Sequence, residues 1–165
     1  MKKISVKKGN ILQRNGDLNT KVYFIEEGLL RSYYIDDKGK EHIFMFAPEK
    51  WVMTDNVSPD EPAELFIDAI EDSTIVVREK VFTNPSILPK LVKRVSVLQK
   101  RIILLMSATA IERYEHFIET YPQIVQRVPQ KMIASYLGIT PEALSKVKGE
   151  QSKKSNPFWK NLNID

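Results

Sequence analysis

Cysteine is absent from this 165-residue chain, and histidine occurs only twice. Without thiols the chain cannot form disulfide bonds, thiolate nucleophiles, zinc knuckles or cysteine-ligated iron–sulfur clusters. Apolar runs do not exceed five residues, as at residues 102–106, whereas a membrane-spanning helix needs ~20. The lysine-rich N-terminal segment also lacks the apolar core of a signal peptide. These absences favour a cytoplasmic protein with no membrane partner.

Residues that could perform catalysis or hold a cofactor are equally scarce. The two imidazoles belong to His42 and His116, and a catalytic metal centre needs several clustered ligands. We therefore predict no metal, no haem and no other cofactor. The acidic pair at residues 71–72 is interpreted as a turn, and the chain shows no nucleophile–base–acid set and no phosphate-cradling glycine loop. We predict that the protein is not an enzyme.

Charge is divided unevenly along the chain. Residues 1–79 carry 11 Lys/Arg and 15 Asp/Glu, a balance of −4, whereas residues 80–165 carry 14 and 6, a balance of +8. A basic second half favours a polyanionic partner such as nucleic acid, although an accident of surface composition would produce the same asymmetry.

The first half has the pattern of β-structure. Short runs of β-branched and aromatic residues are separated by polar turns at about eight- to twelve-residue intervals, as in antiparallel sandwiches and jelly rolls. We predict strands at residues 22–25, 29–35, 42–46, 65–70 and 73–77. Segment 48–62 contains three prolines and is expected to be an irregular loop or a short helix. The predicted fold class is α+β, with an N-terminal antiparallel β-roll or jelly roll.

From about residue 87 the apolar period becomes helical. Pro89 suits a first helical turn, where its missing N–H costs little. Apolar residues then recur at spacings of four, three, four and three, like the a/d seam of a coiled coil. They are Leu91, Val95, Leu98, Ile102 and Leu105. A single buried helix would give the same seam, but further apolar residues at 92, 97, 103 and 104 favour two covered faces. We predict that one face packs on the strands and the other forms a homodimer.

A helix-turn-helix pattern is the most specific motif, and another helix over about residues 108–121 precedes it. Ala134 is small where two helices would cross, and Gly138 allows the positive φ of the turn. Thr140 is the expected N-cap of the second helix, which Pro141 begins. The shared apolar core would be Ile133, Leu137, Ile139, Leu144 and Val147. A generic helical hairpin is the alternative interpretation.

The second helix of this motif would enter the DNA major groove with its N-terminal residues nearest the bases. The predicted DNA-binding residues are Gln130, Lys131, Thr140, Pro141, Glu142, Ser145, Lys146 and Lys148. Gln130 and Lys131 would contact the DNA backbone, and the exposed residues of the second helix would contact bases. Glu142 would either accept a hydrogen bond from a cytosine amino group or only stabilise the helix N-terminus.

The order of strand-rich region, long seam helix and helix-turn-helix resembles the cyclic-AMP receptor protein/Fnr (Crp/Fnr) family of bacterial transcription regulators. Residues 127–145 are similar to the helix-turn-helix of short Bacteroidetes-type members, and residues 23–31 to the strand–turn–strand of their cyclic-nucleotide-binding-like domain. The resemblance implies a β-roll sensor domain at residues 1–85, a dimerisation helix at 86–107 and a helix-turn-helix domain at 108–165. It also implies a homodimer on two-fold symmetric double-stranded DNA, with RNA polymerase and an unidentified small-molecule effector as further candidate partners.

The sequence departs from this family at the ligand cassette. Members that bind cyclic AMP carry a Gly-Glu pair for the ribose and an arginine for the cyclic phosphate. The matching segment here is residues 51–55, without Gly-Glu, and the arginine position aligns with Ala63 beside Glu64. A phosphate needs a cation or backbone N–H groups, and a carboxylate would repel it. We interpret this region as a degenerate cassette that does not bind cyclic AMP or cyclic GMP in the usual way; its residues are Trp51, Thr54, Asp55, Ala63 and Glu64.

The segment after the recognition helix also departs from the family. Residues 149–160 lack two alternating strands, so we predict that the usual β-hairpin wing is missing or rudimentary. Lys153 and Lys154 would touch phosphates or belong to a solvated tail. The functional prediction is a sequence-specific DNA-binding transcription regulator that acts as a homodimer. The alternative is a ligand-binding or protein-interaction module whose helix-turn-helix is degenerate.

Overall fold

The computed structural model of the protein describes residues 2–81 and 87–151. The chain divides into two compact units, residues 1–81 and residues 82–165. In the described residues, the regular structure of the first unit is all β-strand and that of the second is all α-helix. The predicted change of period along the chain is therefore confirmed. No helix in the described part of the chain is long and apolar enough to span a membrane.

The first unit is built from two four-stranded sheets. Its strands are β1 (Lys2–Val6), β2 (Ile11–Gln13), β3 (Lys21–Glu27), β4 (Leu30–Ile35), β5 (Glu41–Ala47), β6 (Val52–Met53), β7 (Phe66–Ala69) and β8 (Ser73–Glu79). One sheet has the order β1-β8-β3-β6 and the other β2-β7-β4-β5. Each pairing is antiparallel, which confirms the antiparallel β-roll expected from the sequence.

Both sheets contribute to one apolar core. Tyr23 and Ile25 are buried on alternate positions of β3, and Ile25 pairs in register with Ile75 of β8. Ile67 of β7 and Met45 of β5 enter the same cluster from the other sheet. Complete burial of an aliphatic side chain of this size contributes about 1.5–3 kcal/mol. Alternate burial along β3 and β8 therefore ties these two strands to the core.

Three strands were not predicted. β1 carries two exposed lysines and lies at a sheet edge, and β2 has only three residues with a register shift. β6 is a two-residue edge strand within segment 48–62, which otherwise forms irregular structure and contains no helix. Short, charged edge strands are a common device against edge-to-edge aggregation, and they give little periodic signal.

A buried ion pair connects three strands of the second sheet. Arg31 of β4 is 7% exposed, and its Nε and Nη2 donate to the two carboxylate oxygens of Asp68 on β7 at 2.8 and 2.9 Å. Its Nη1 donates to Glu41 of β5 at 2.6 Å. Burial opposes the charged form, but the bonds to Asp68 and Glu41 outweigh it and raise the pKa of Arg31. The guanidinium is therefore charged, and its Nε, Nη1 and Nη2 all donate to carboxylates.

Gly28 forms the turn between β3 and β4 with a φ of 95°. A Cβ atom at this position would lie 2.2 Å from Ser73 Oγ and 2.7 Å from Ser73 Cα. The same Ser73 Oγ accepts a hydrogen bond from Leu29 N at 3.2 Å. Only glycine satisfies both the left-handed backbone and the close approach.

The second unit contains four helices: α1 (Ile87–Ser107), α2 (Ala110–Thr120), α3 (Gln130–Leu137) and α4 (Pro141–Gln151). All four were predicted, although α2 begins two residues later than expected. The reason is a capping box, in which the Thr109 side chain accepts from Glu112 N while the Glu112 carboxylate accepts from Thr109 N. The predicted absence of a full wing concerns residues 149–160, of which 149–151 belong to α4 and 152–160 lie outside the described residues.

Candidate nucleic-acid interface

α3 and α4 form a helix-turn-helix around Gly138. The glycine has a φ of 68°, and its N–H donates to the carbonyls of Ala134 and Ser135. Ile139 N also donates to Ala134 O, at 3.0 Å. This pattern satisfies the last carbonyls of α3 in the manner of a left-handed helix cap. The turn predicted at Gly138 is confirmed, and Ala134 is 1% exposed as the close crossing requires.

The start of α4 is capped by Thr140. Its Oγ1 accepts from Ala143 N at 3.2 Å, and its carbonyl accepts from Leu144 N at 3.0 Å. Pro141 occupies the first helical position, where no N–H is needed. Leu144 and Val147 are buried on the inner side of the helix. The cap and the apolar face together direct the opposite side of α4 to solvent.

That opposite side contains the predicted groove residues. Pro141, Glu142, Ser145 and Lys146 are all exposed, whereas Lys148 is half-buried. Lys146 Nζ lies 4.0 Å from the Glu150 carboxylate one turn further on. An exposed pair of this kind contributes little, so the ammonium group of Lys146 remains available to another acceptor.

Glu142 is engaged at the helix start. Hydrogen bonds from its own backbone N–H and then from the Thr140 side chain lower the pKa of the Glu142 carboxyl. An acid in this position also interacts favourably with the N-terminal end of the helix dipole. In this arrangement Glu142 acts as a cap, and a contact with cytosine would require it to exchange these bonds.

The N-terminus of α3 exposes the two residues expected to contact phosphates. Gln130 and Lys131 are exposed, and Pro129 at the N-cap provides no side-chain hydrogen bond. A helix N-terminus without a side-chain cap suits an anion, because its backbone N–H groups and dipole both favour negative charge.

Three aromatic rings, those of Phe117, Tyr121 and Tyr136, pack together where α2 meets the first helix of the motif. Tyr136 of α3 lies 5.4 Å from the ring of Phe117 and 5.7 Å from that of Tyr121, measured between ring centroids. The guanidinium of Arg101, on α1, sits 4.0 Å from the centroid of Tyr136, and its Nη2 donates to Tyr136 O at 3.3 Å. A cation over an aromatic face is favourable. α1 is therefore joined to the first helix of the motif.

Arg113 provides a second connection. From α2 its guanidinium donates to Leu105 O at 2.7 Å, Ala108 O at 3.0 Å and Leu137 O at 3.2 Å. These carbonyls belong to the end of α1, the connection to α2 and the end of α3. Helix ends leave carbonyl groups without an intrahelical partner, and one side chain here satisfies two such groups and a third in the connection between helices. Sequence reasoning missed Arg113 because a single arginine on an amphipathic helix carries no distinguishing pattern.

The predicted dimer seam of α1 is mostly exposed in the single chain. Leu91, Val95 and Ile102 are 46%, 62% and 57% exposed, and Leu98 and Leu105 are half-buried. Other apolar side chains of α1 are exposed as well; they are Leu88, Val92, Val97, Ile103 and Met106. Such a concentration of exposed apolar area on one helix is typical of an interaction surface.

The structure brings only part of the predicted cassette together. Asp55 is 4% exposed, and its Oδ2 accepts from Glu64 N at 2.9 Å. Ala63 is buried and pairs through its backbone with residues 16 and 17. Trp51 packs against the apolar core, and Thr54 Oγ1 donates to Lys21 O at 3.1 Å. Trp51 is therefore part of the β-roll core, while the Thr54 hydroxyl connects β3 to Asp55, whose carbonyl it also meets at 3.0 Å.

An open cavity of about 430 Å³ lies beside the loop that connects β6 to β7, residues 54–65. Its lining residues are Asn15, Gly16, Val57, Glu61, Pro62, Ala63 and Glu64. Two of them are carboxylates and none is basic. The carboxylate of Glu61 caps the loop by accepting from Ser58 N at 3.0 Å. The electrostatic character of this cavity is unfavourable for a phosphate group.

An antiparallel β-roll followed by a long helix and a helix-turn-helix defines the fold of the Crp/Fnr transcription regulators. FixK2 from Bradyrhizobium japonicum is similar to this chain with a TM-score of 0.77 and 19% identity, over 92% of this chain and 84% of its own. TTHA1359, a Crp/Fnr family regulator from Thermus thermophilus, has a TM-score of 0.75 and 16% identity, over 94% and 90%. A CooA mutant from Carboxydothermus hydrogenoformans has a TM-score of 0.67 and 19% identity, over 92% and 76%.

These neighbours share the fold of this chain, so the fold class inferred from the sequence is confirmed. No family model and no curated protein matches the chain.

Proposed function

We propose that this protein is a Crp/Fnr-family transcription regulator that binds specific DNA sequences as a homodimer. The observation that carries the proposal is the exposed N-terminal turn of α4. Thr140 caps this turn, and the buried side chains on the inner face of α4 hold the helix against the rest of the motif. Placing such a turn in the major groove is how proteins of this type read bases. The likeness in fold to solved regulators supports the same function, and the cytoplasm is the compartment in which it would act.

In this proposal the exposed residues of α4 contact bases, and the residues at the edges of the helix-turn-helix contact phosphates and position the protein on the DNA. Ser145 and Lys146 project from the outer face of α4 and are free to approach base edges. Gln130 and Lys131, at the start of α3, are placed for phosphates. Pro141 and Glu142 are the groove residues nearest the helix start, with Thr140 and Lys148 at the flanks.

Selection against a randomised duplex library at moderate salt is the direct test. Enrichment of an inverted repeat with half-sites about one helical turn apart is expected for a dimeric reader. Affinity should fall steeply with salt because phosphate contacts release counterions. Absence of enrichment by folded, dimeric protein, both alone and across a metabolite panel, would favour the alternative of an interaction module with a degenerate helix-turn-helix.

Lys146→Ala separates base contact from phosphate contact. If Lys146 reads a base, the variant should lose about 1–3 kcal/mol on the selected site and relax preference at one position. Lys131→Ala serves as the matched control, with an expected uniform loss across sequences and a shallower salt dependence. A uniform loss in Lys146→Ala would contradict its role in base recognition.

Dimerisation through the seam of α1 follows from its exposed apolar residues. Val95→Glu places a charge in the seam and is expected to give monomers at micromolar concentration, because burying an unpaired carboxylate is costly. Ser96→Glu introduces the same charge one residue further along, off the seam and also exposed, and should leave the dimer intact. Sedimentation of the two variants tests the surface, and the opposite result would place the interface on another face.

The sensor unit is proposed not to bind cyclic AMP or cyclic GMP in the usual way. The cavity beside the cassette contains Glu61 and Glu64 and no basic lining residue, so a cyclic phosphate would be repelled by two carboxylates and would find no basic side chain in the lining. Calorimetry with each nucleotide is the test, and micromolar binding would overturn the proposal. A different small-molecule effector and RNA polymerase remain proposed partners.

A further inference from the structure

The loop that connects β6 to β7, residues 54–65, is organised around the buried carboxylate of Asp55. Asp55 follows β6 and is 4% exposed. Its Oδ1 accepts from Asn56 N at 2.7 Å, and its Oδ2 accepts from Glu64 N at 2.9 Å, Leu65 N at 3.0 Å and Gln13 Nε2 at 3.1 Å. A buried carboxylate normally carries a large desolvation cost. Four donors offset that cost here.

Three of these four donors are backbone N–H groups, which come from the two ends of one loop. Asn56 is adjacent to Asp55, while Glu64 and Leu65 are nine and ten residues further along. Converging backbone N–H groups form an anion-binding concavity whatever the side chains are. Three converging N–H donors need an acceptor, and a carboxylate is a stronger acceptor than a neutral group because hydrogen bonds to a charged partner are stronger.

The ammonium group of Lys80 adds a positive charge near this site. It donates to Val57 O at 2.8 Å and also to Thr20 Oγ1. Val57 belongs to the loop that Asp55 closes, so the Lys80 ammonium and the Asp55 carboxylate both bind backbone groups of this loop. Asp55 contributes to the electrostatic environment of Lys80. The loop is therefore fixed by charges of the chain itself.

We propose that the Asp55 carboxylate is a built-in ligand, occupying an anion site that the loop's backbone would otherwise offer to a small carboxylate or phosphate. The loop is then held in place without any exogenous anion. Removal of the side chain should convert the site into one that binds a small free anion. This inference concerns the first unit alone, so its failure and that of the proposed DNA function are separately detectable.

The test is chemical rescue of Asp55→Ala by formate. The variant should have a lower Tm than the parent protein in chloride and should regain part of the difference in formate at equal ionic strength, with a saturable dose response. Asp36→Ala is the matched control. Asp36 accepts from Lys38 N at 3.0 Å and Lys40 N at 2.9 Å and lies 2.8 Å from His42 Nε2, all in an exposed hairpin turn where water can replace the carboxylate. No formate-specific recovery is expected there.

A second measurement keeps the proposal testable if Asp55→Ala is too unstable to melt cooperatively. Asp55→Asn preserves the side-chain volume but removes the charge and fills the site, so it should be destabilised and insensitive to formate. In Asp55→Ala refolded with formate, the amide resonances of Glu64 and Leu65 should shift on titration of the anion. Equal formate responses in Asp55→Ala and Asp36→Ala, or no shift of these two amides, would overturn the proposal.

Discussion

Replacing Arg113 by methionine tests whether one side chain holds together the helix ends of the second unit. The guanidinium satisfies the carbonyls of Leu105, Ala108 and Leu137. Methionine keeps much of the length and the aliphatic packing but has no donor, so all three carbonyls lose a partner. A hydrogen bond to a charged group contributes about 1.5–3 kcal/mol. Because Arg113 is half-buried, water recovers part of this, and we expect a total loss of about 2–4 kcal/mol.

Urea unfolding followed by far-ultraviolet circular dichroism is the suitable assay, since the described helices all belong to the second unit. Arg113→Lys should lose less than Arg113→Met, because an ammonium group retains donors but cannot reach three carbonyls as a planar fork does. Glu115→Met, on the same helix, controls for removal of a charge. A change below about 0.5 kcal/mol in Arg113→Met, the range of ordinary surface substitutions, would refute the reasoning.

Two further predictions concern the turn glycines and acid stability. Gly138→Ala should cost about 1–2 kcal/mol for its left-handed backbone, because the nearest atom to a new Cβ is 3.7 Å away. Gly28→Ala should cost at least ~3 kcal/mol, since its Cβ would also overlap Ser73 at 2.2 Å; equal losses in urea unfolding would contradict this. Burial lowers the pKa of His116 from 6.5, so the unfolded state binds more protons and stability falls as pH drops below that value toward the lowered folded-state pKa. His116→Gln should flatten the decline in Tm between about pH 8 and 5.5, and an unchanged slope would count against a neutral, half-buried imidazole.

The helix-turn-helix was predictable because its determinants are local. Gly138 allows the left-handed turn, and Thr140 and Pro141 specify the start of the next helix through their own chemistry. Each acts within a few residues of itself, so a single sequence is sufficient. The strands of the first unit with clear apolar alternation were predictable for the same reason, whereas β1 and β6 were missed because an exposed lysine pair and a two-residue edge strand show no period.

The residues that organise the sites were harder to find because their partners are distant backbone atoms. Asp55 was grouped with the cassette from the sequence, but its hydrogen bonds to the backbone of residues 64 and 65 depend on the path of the loop. Arg113 likewise bonds to carbonyls, which every residue possesses. Only the fold specifies which carbonyl or amide a side chain meets. Sequence patterns therefore predicted the elements of the helix-turn-helix better than the contacts that support them.

The ion pair between Arg31 and Asp68 has a consequence for how the second sheet assembles. The two residues are direct register partners on β4 and β7, and both are buried. A pairing slipped by one residue would send their side chains to opposite faces, and a slip by two would leave a buried charge opposite an apolar residue. Breaking a buried pair typically costs about 3–5 kcal/mol. The ion pair therefore disfavours other registers between β4 and β7 during folding. It distinguishes the native register from shifted ones that would bury a similar number of apolar side chains.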